Sequence, residues 1–138
     1  LILLDTNVLS EAFRPEPDAG VLAWLGRQAQ PMASAVTVGE LRRGALVLPA
    51  GRRRDAFLAS IDATLRDHVN RILPYDGAAA RIYAHLHAHR RSIGRPLAVE
   101  DGMIAATAII NSASIATRNV TDFEQLGVEV IDPWNLDS

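Results

Sequence analysis

Leu1-Ile2-Leu3-Leu4-Asp5-Thr6-Asn7 opens the chain as an apolar run that breaks on an acid. Such a run, followed by residues that readily cap a helix, reads as a buried strand feeding a helix. The same transition recurs three times: S-A-V-T-V-G-E-L brings in Glu40, L-A-V-E-D-G-M-I-A-A-T-A brings in Asp101, and A-T-R-N-V-T-D-F brings in Asp122. If these runs are parallel strands and buried helix starts, four carboxylates from distant stretches meet at one edge of one sheet. That cluster repels itself unless something positive sits inside it, and a divalent metal ion is the natural candidate.

Outward from that stretch, Leu9 and Phe13 predict a short helix that Pro15 and Pro17 must stop, since proline lacks an N–H and clashes with the preceding turn. Asp18 is placed to cap a second helix carrying Val21, Leu22, Trp24 and Leu25. Residues 32–36 read as a second strand and 37–48 as a helix ended by Pro49 and Gly51. Over 52–69, Phe57, Ile61, Leu65 and Val69 recur every four residues with Leu58 beside them, the stripe of an amphipathic helix. Residues 71–75 read as a third strand, and Asp76 as the cap of a helix through Ile82 and Leu86. Residues 99–110 are apolar almost all round, which predicts a largely buried helix. Residues 114–116 and 128–131 complete the strands, with a short helix from Thr121 between them.

Strands alternating with helices predict an α/β fold: a three-layer α/β/α sandwich over a mostly parallel sheet of four or five strands. In such sheets ligands bind beyond the carboxyl ends of the strands. Asp5, Glu40 and Asp122 are delivered there by the strands before them. Asp101 opens the buried helix, where the helix dipole favours an acid.

The length of 138 residues predicts one compact domain over residues 1–138. Cysteine is absent, which excludes disulfides and thiolate ligands and fits a cytoplasmic protein. No apolar run approaches the roughly 18 residues of a membrane span, and L-I-L-L is too short for a secretory core, so no signal peptide is expected. The net charge of −2 argues against wholesale nucleic-acid binding by a basic surface. All 14 positive residues are arginine. P-loop proteins and Schiff-base enzymes need a lysine and receiver domains characteristically carry one, so its absence counts against all three classes.

Each acid also has a blander explanation. Asp5 can simply cap the first helix. Thr37-x-x-Glu40 and Thr121-x-x-Glu124 both match a capping box, in which the glutamate reaches back to the backbone of the cap. Glu100 and Asp101 lie in a first helical turn, and Asp76 is best read as a plain cap. The combination shifts the balance. Asp5 and Asp101 both belong to buried elements, where carboxylates brought together are costly unless paired or metal-bound. Arg118 can pair with one of them but cannot neutralise four.

At these residues the chain resembles a PIN-domain ribonuclease, specifically a VapC-type toxin of a toxin–antitoxin pair. The matching text is L-L-D-T-N-V-L-S-E, A-V-T-V-G-E-L-R-R-G, G-R-P-L-A-V-E-D-G-M-I-A-A-T-A, A-T-R-N-V-T-D-F and V-I-D-P-W, in order along the whole chain. The resemblance implies an acidic catalytic site of Asp5, Glu40, Asp101 and Asp122. Asp5 and Asp101 would be the main metal ligands, with Glu40 and Asp122 available for a second ion. Thr6, Thr117 and Asn119 match its supporting residues. Ala98 stands where relatives often place a serine, which implies a weaker cap on the helix carrying Asp101. The expected cofactor is Mg²⁺, with Mn²⁺ as a substitute, because an all-oxygen site suits hard cations and zinc would recruit histidine. Such ions activate water and neutralise the transition state of phosphodiester hydrolysis. The implied partners are an RNA substrate, a VapB-like antitoxin and a second copy of the chain, with DNA met only through the antitoxin and no membrane.

Arg42, Arg43 and Arg118 are candidate RNA contacts, as are the clusters Arg52-Arg53-Arg54 and His89-Arg90-Arg91 with Arg95, since guanidinium grips phosphate bidentately. His85 and His89 share a helix face, but a solvated or packed face explains them better than zinc. Trp24 and Trp134 read as packing residues. The rival function is a non-catalytic subunit that helps an antitoxin occupy operator DNA, and such a binder has no need of the acidic quartet. A phosphatase of the haloacid-dehalogenase kind wants D-x-D after the first strand, where this chain has Asp5-Thr6-Asn7.

Overall fold

Strand β1 (Ile2–Leu4) lies at the centre of the sheet and shows how the layers arise. Successive side chains on a strand point to opposite faces. Ile2 and Leu4 therefore enter one apolar cluster and Leu3 the other. All three are buried, so a single strand needs helices on both sides. The structure is a computed structural model and describes residues 1–136.

Among those residues, β1, β2 (Pro31–Ser34), β3 (Arg71–Leu73), β4 (Ser114–Ala116) and β5 (Val130–Ile131) form one sheet in the order β3-β2-β1-β4-β5. Every neighbouring pair is parallel. One face is covered by α1 (Thr6–Glu11), α2 (Ala19–Gly26), α3 (Ala35–Leu46) and α4 (Arg52–His68), through Val8, Leu9, Trp24, Leu25, Leu41 and Ile61. The other face meets α6 (Val99–Ile110) through Ile104, Ala105 and Ala108, with Leu86 of α5 (Gly77–Ser92) packed alongside. The expected three-layer sandwich is thus present. Truncating a fully buried residue such as Leu4 to alanine would cost about 2–5 kcal/mol.

The chain runs from β1 outward to β2 and β3, then crosses back to place β4 on the other side of β1. This reversal opens a crevice beyond the carboxyl ends of β1 and β4, where ligands bind in open parallel sheets. α6 is buried as its composition predicts. Gly102 is tightly covered: a Cβ there would come within 2.9 Å of Leu97 and 3.2 Å of Tyr83, and those side chains would have to give way. Among the described residues no helix is long and apolar enough to cross a membrane.

Several boundaries depart from the sequence reading: β5, expected from Val128, begins at Val130, and α1, expected through Phe13, ends at Glu11. β2 ends at Ser34, two residues before Val36, because the Ser34 hydroxyl caps α3 by accepting from the Val36 N–H at 3.0 Å. Thr37 therefore lies inside the helix, and the Thr37–Glu40 capping box does not exist. β3 stops at Leu73, since Pro74 brings no N–H to the ladder. The expected helix at Thr121 is a 3₁₀ turn, Val120–Phe123, without a side-chain cap, so the second capping box is absent too. Asp76 caps α5 by accepting from the Ala79 N–H at 3.0 Å, as expected.

Candidate active site

Asp5 leaves β1 at its carboxyl end and stays tied to the sheet, its N–H donating to the Ala116 carbonyl at 2.9 Å. It is 5% exposed, and its oxygens are well occupied. The Thr6 N–H donates to Oδ1 at 2.8 Å, the Thr117 hydroxyl to Oδ2 at 2.7 Å, and the Asn7 side-chain amide to Oδ2 at 3.4 Å. Asp5 is thus both the cap of α1 and an acid of the crevice. Burial pushes its carboxyl above the ordinary aspartate value despite the Thr117 and Thr6 bonds, and the charges of Glu40 and Asp122 add to the rise.

Thr117 follows β4 directly, next to Asp5, and acts as a junction. Its hydroxyl accepts from the Asn119 N–H at 3.0 Å and from the Asn7 amide at 3.2 Å. Asn7 in turn accepts the Arg118 N–H at 3.2 Å. The sequence singled out Thr117 and Asn119 but not Asn7, whose signal was its place in the D-T-N triplet.

Glu40 reaches the crevice from inside α3. The Thr6 hydroxyl donates to its Oε1 at 2.8 Å and lies 3.2 Å from the Thr37 hydroxyl. Thr6 thus orients this acid from α1, while Thr37, on α3 with Glu40 itself, touches only the Thr6 hydroxyl. Asp101 occupies the first turn of α6, whose cap position, Ala98, makes no side-chain hydrogen bond. Half-buried, its carboxyl is pushed up to about 6, first by desolvation and then by the charges of Asp5, Asp122, Glu40 and Glu100.

Asp5, Glu40 and Asp101 line one cleft of about 410 Å³ together with Asn7, Arg118 and Asn119. Asp122 is exposed on its 3₁₀ turn and stands at the rim, close enough for its charge to raise both Asp5 and Asp101. The four acids therefore share one electrostatic neighbourhood. Among the described residues, no three of them close into a ready-made metal cage. Glu100 does not line the cleft and lies 3.7 Å from Arg43 in a loose, exposed ion pair.

The arginines sort differently from the sequence reading. Arg90, proposed within a phosphate-binding cluster, is 5% exposed and donates to the carbonyls of Arg95 (2.8 Å), Asp122 (3.1 Å) and Glu124 (3.1 Å). It is committed to holding the turn that carries Asp122. Arg95 donates to the Thr121 carbonyl and pairs with Glu124, both at 3.2 Å. Arg42 pairs with Asp62 at 3.1 Å, and neither it nor Arg43 lines the cleft. Arg118 does line it, but the pairing with an acid that the sequence allowed is not made among the described residues: its guanidinium lies 5.0 Å from the centroid of the Trp134 ring. Arg52 and Arg53 remain exposed, as do His85 and His89. Trp24 is buried in the core, as expected for a packing residue.

Desolvated carboxylates gathered on a mouth open to solvent can do two things. They can hold a hard cation, and they can accept protons from a water aligned against a bound ester.

Known proteins carry the same frame. A family model described as PIN domain matches residues 2–129. The VapC ribonuclease Y4jK of Sinorhizobium fredii is 42% identical over 137 residues, covering 97% of this chain and 98% of that protein. The toxin FitB of Neisseria gonorrhoeae is 38% identical over 138 residues, covering 98% of this chain and 99% of that one. A solved structure of FitAB bound to a DNA fragment superposes with a TM-score of 0.90 at 38% identity, covering 100% of this chain and 99% of that chain. This chain belongs to the PIN domain family.

Proposed function

We propose that this chain is a Mg²⁺-dependent endoribonuclease and the toxin half of a type II toxin–antitoxin pair. One observation carries the reading: Asp5, Glu40 and Asp101 reach a single cleft from three separate elements, where burial first, and then the charges of Asp5, Asp122, Glu40 and Glu100, lift Asp101 to about 6. Negative charge accumulated in this way asks for a cation. The donors are all oxygen, which fits Mg²⁺ or Mn²⁺ better than zinc. Asp5 and Asp101 would hold the ion, with Glu40 and Asp122 available to a second. When bound, such an ion supplies an activated water and neutralises charge on the phosphodiester.

The chain's own residues prepare that site. Thr117, Asn7 and the Thr6 N–H fix the Asp5 oxygens, and the Thr6 hydroxyl fixes Glu40. Among the described residues no side chain clamps the Asp101 carboxylate, which leaves its oxygens available to a cation.

Similarity to a ribonuclease, to a toxin and to a chain solved in a DNA-bound complex supports the biological setting. In that setting the chain forms a homodimer, binds a VapB-like antitoxin and meets DNA only through it. It cuts RNA in the cytoplasm. Arg42 and Arg43 would contact RNA only outside the cleft, whereas Arg118 is at the site itself.

The test is incubation of the purified chain with total cellular RNA, with and without Mg²⁺, followed by mapping of the new 5′ ends. Discrete 5′-phosphate ends that require the metal are expected, and they should vanish in Asp5→Asn and Asp101→Asn. Full cleavage by either folded variant would remove the assignment.

A further inference from the structure

The cleft contains more acid than base, and one base is already spent. Glu11 and Arg14 both line it, and the Arg14 NH1 lies 2.9 and 3.2 Å from the two Glu11 carboxylate oxygens. Glu11 is itself buried and also accepts the Asp18 N–H at 2.8 Å, so this pair is a strut between α1 and the start of α2. What remains around the cleft is Asp5, Glu40 and Asp101 against Arg118 alone. A polyanion entering such a cleft is repelled at every phosphate that a catalytic cation does not cover.

Arg118 is built to receive one of those phosphates. Its backbone is fixed by the N–H bond to Asn7. Its guanidinium sits over Trp134, 5.0 Å from the ring centroid, and it forms no ion pair with a described residue. Trp134 is held from below: it packs against the cluster of Ile2, Leu4 and Trp24, and its N–H donates to the Asp132 side chain at 2.9 Å in a tight turn after β5. Stacking occupies the face of a guanidinium and leaves its in-plane N–H fork free. A fork held in this way loses little side-chain freedom when it closes on a phosphate.

We propose that Arg118, supported on Trp134, is the phosphate-gripping ledge of this cleft and binds one backbone phosphate of the RNA next to the scissile one. The inference rests on the nuclease reading above for the identity of the polyanion. Trp134 lines the same cleft, and its role here is a positioning one, exerted through Arg118.

The measurement is binding of a fluorescently labelled single-stranded hexaribonucleotide across a salt series, in an Asp101→Asn background that stops cleavage. Adding Arg118→Ala should weaken binding about tenfold, the loss of one charge-assisted contact. It should also flatten the log–log salt slope by about 0.7, the value for one phosphate on a single strand. Trp134→Leu should weaken binding when Arg118 is present and change nothing further once Arg118→Ala has been made. An unaltered slope and affinity in Arg118→Ala overturns the ledge, and this variant changes an exposed side chain that no core packing depends on. Equal weakening by Trp134→Leu in both backgrounds overturns the supporting role of the ring. The two readings fail separately. If wild-type chain cleaves RNA but the slope stays put, the ledge alone falls. If the slope drops but wild-type chain cuts nothing, the nuclease reading falls and the ledge stands.

Discussion

Asp5 and Asp101 line the same cleft from different elements, and the fold treats them differently. Asp5 is clamped by the Thr6 N–H, the Thr117 hydroxyl and the Asn7 amide, in a network that ties β1 to β4. Asp101 has no such clamp among the described residues; its helix begins at Ala98 with no side-chain cap, and its carboxyl is raised by burial and by four other acids. One side of the site is finished as folded. Both carboxyls are raised by burial and by neighbouring acids, but only at Asp5 do hydrogen bonds oppose the rise, so Asp101 is the more strained side. On the proposed reading, the clamped acid would set where an ion binds, and the unclamped acid would gain most from its arrival.

The comparison breaks most visibly in catalysis. Asp5→Asn and Asp101→Asn each remove a carboxylate from the proposed metal site, and each should lower the cleavage rate about a thousandfold or more. Rates measured in saturating Mg²⁺ on a defined RNA check this; a loss confined to one of the two would mean that only that side carries the ion. The next largest effect belongs to the clamped side. Thr117→Val deletes the donor to Asp5 and the acceptor of the Asn119 N–H in a fully buried place. It should cost about 1–3 kcal/mol in denaturant unfolding, because buried partners are left unsatisfied. Unchanged stability would show that the network does not hold Asp5.

How much of this was legible beforehand depends on the kind of information each feature needs. The sandwich followed from local pattern: L-I-L-L with its abrupt acid, the four-residue stripe from Phe57 to Val69 and the apolar helix from Val99. The acids were legible because each interrupts such a pattern. What escaped depends on where side chains point in three dimensions. Ser34 outcompeted Thr37 as the α3 cap because strand pairing ended there, and that released Glu40 toward Thr6. Arg90 looked like surface charge inside His89-Arg90-Arg91, yet the helix turn points it inward to three carbonyls. Asn7 and the Arg118–Trp134 stack join residues more than a hundred or about sixteen positions apart, and no periodicity announces them. Asp122 was legible as an acid, but its place at the rim required the course of the 3₁₀ turn.

The more strained side has its own signature in pH. The folded Asp101 carboxyl, at about 6, lies above its ordinary 3.8. The folded state therefore binds the proton more tightly, so the resulting stability is fully present below about pH 3.8 and lost as pH rises through 6. With allowance for solvent screening of a half-exposed group, this amounts to about 1 kcal/mol. Metal-free protein should thus weaken from this source between about pH 4 and pH 7. Asp101→Asn should melt higher than wild type at pH 7.5 in EDTA, and Mg²⁺ should close the gap by stabilising wild type alone. Equal melting temperatures in EDTA would show that the strain is absent.

The smallest expected effect separates helix capping from charge. Ala98 already has the extended backbone of a cap position, φ −61° and ψ 143°, so Ala98→Ser needs no rearrangement for the new hydroxyl to accept a free N–H of the first turn. The gain should be about 0.5–1 kcal/mol. It comes from hydrogen bonding to the backbone and not from relieving a carboxylate, so it should be as large at pH 5 as at pH 7.5. The gain from Asp101→Asn should instead shrink toward pH 5, where the wild-type acid is largely protonated. Urea unfolding of the two variants at both pH values distinguishes them. A pH-dependent gain in Ala98→Ser would mean that the missing cap and the raised Asp101 are one defect, and that the two sides of the cleft differ in helix geometry before they differ in charge.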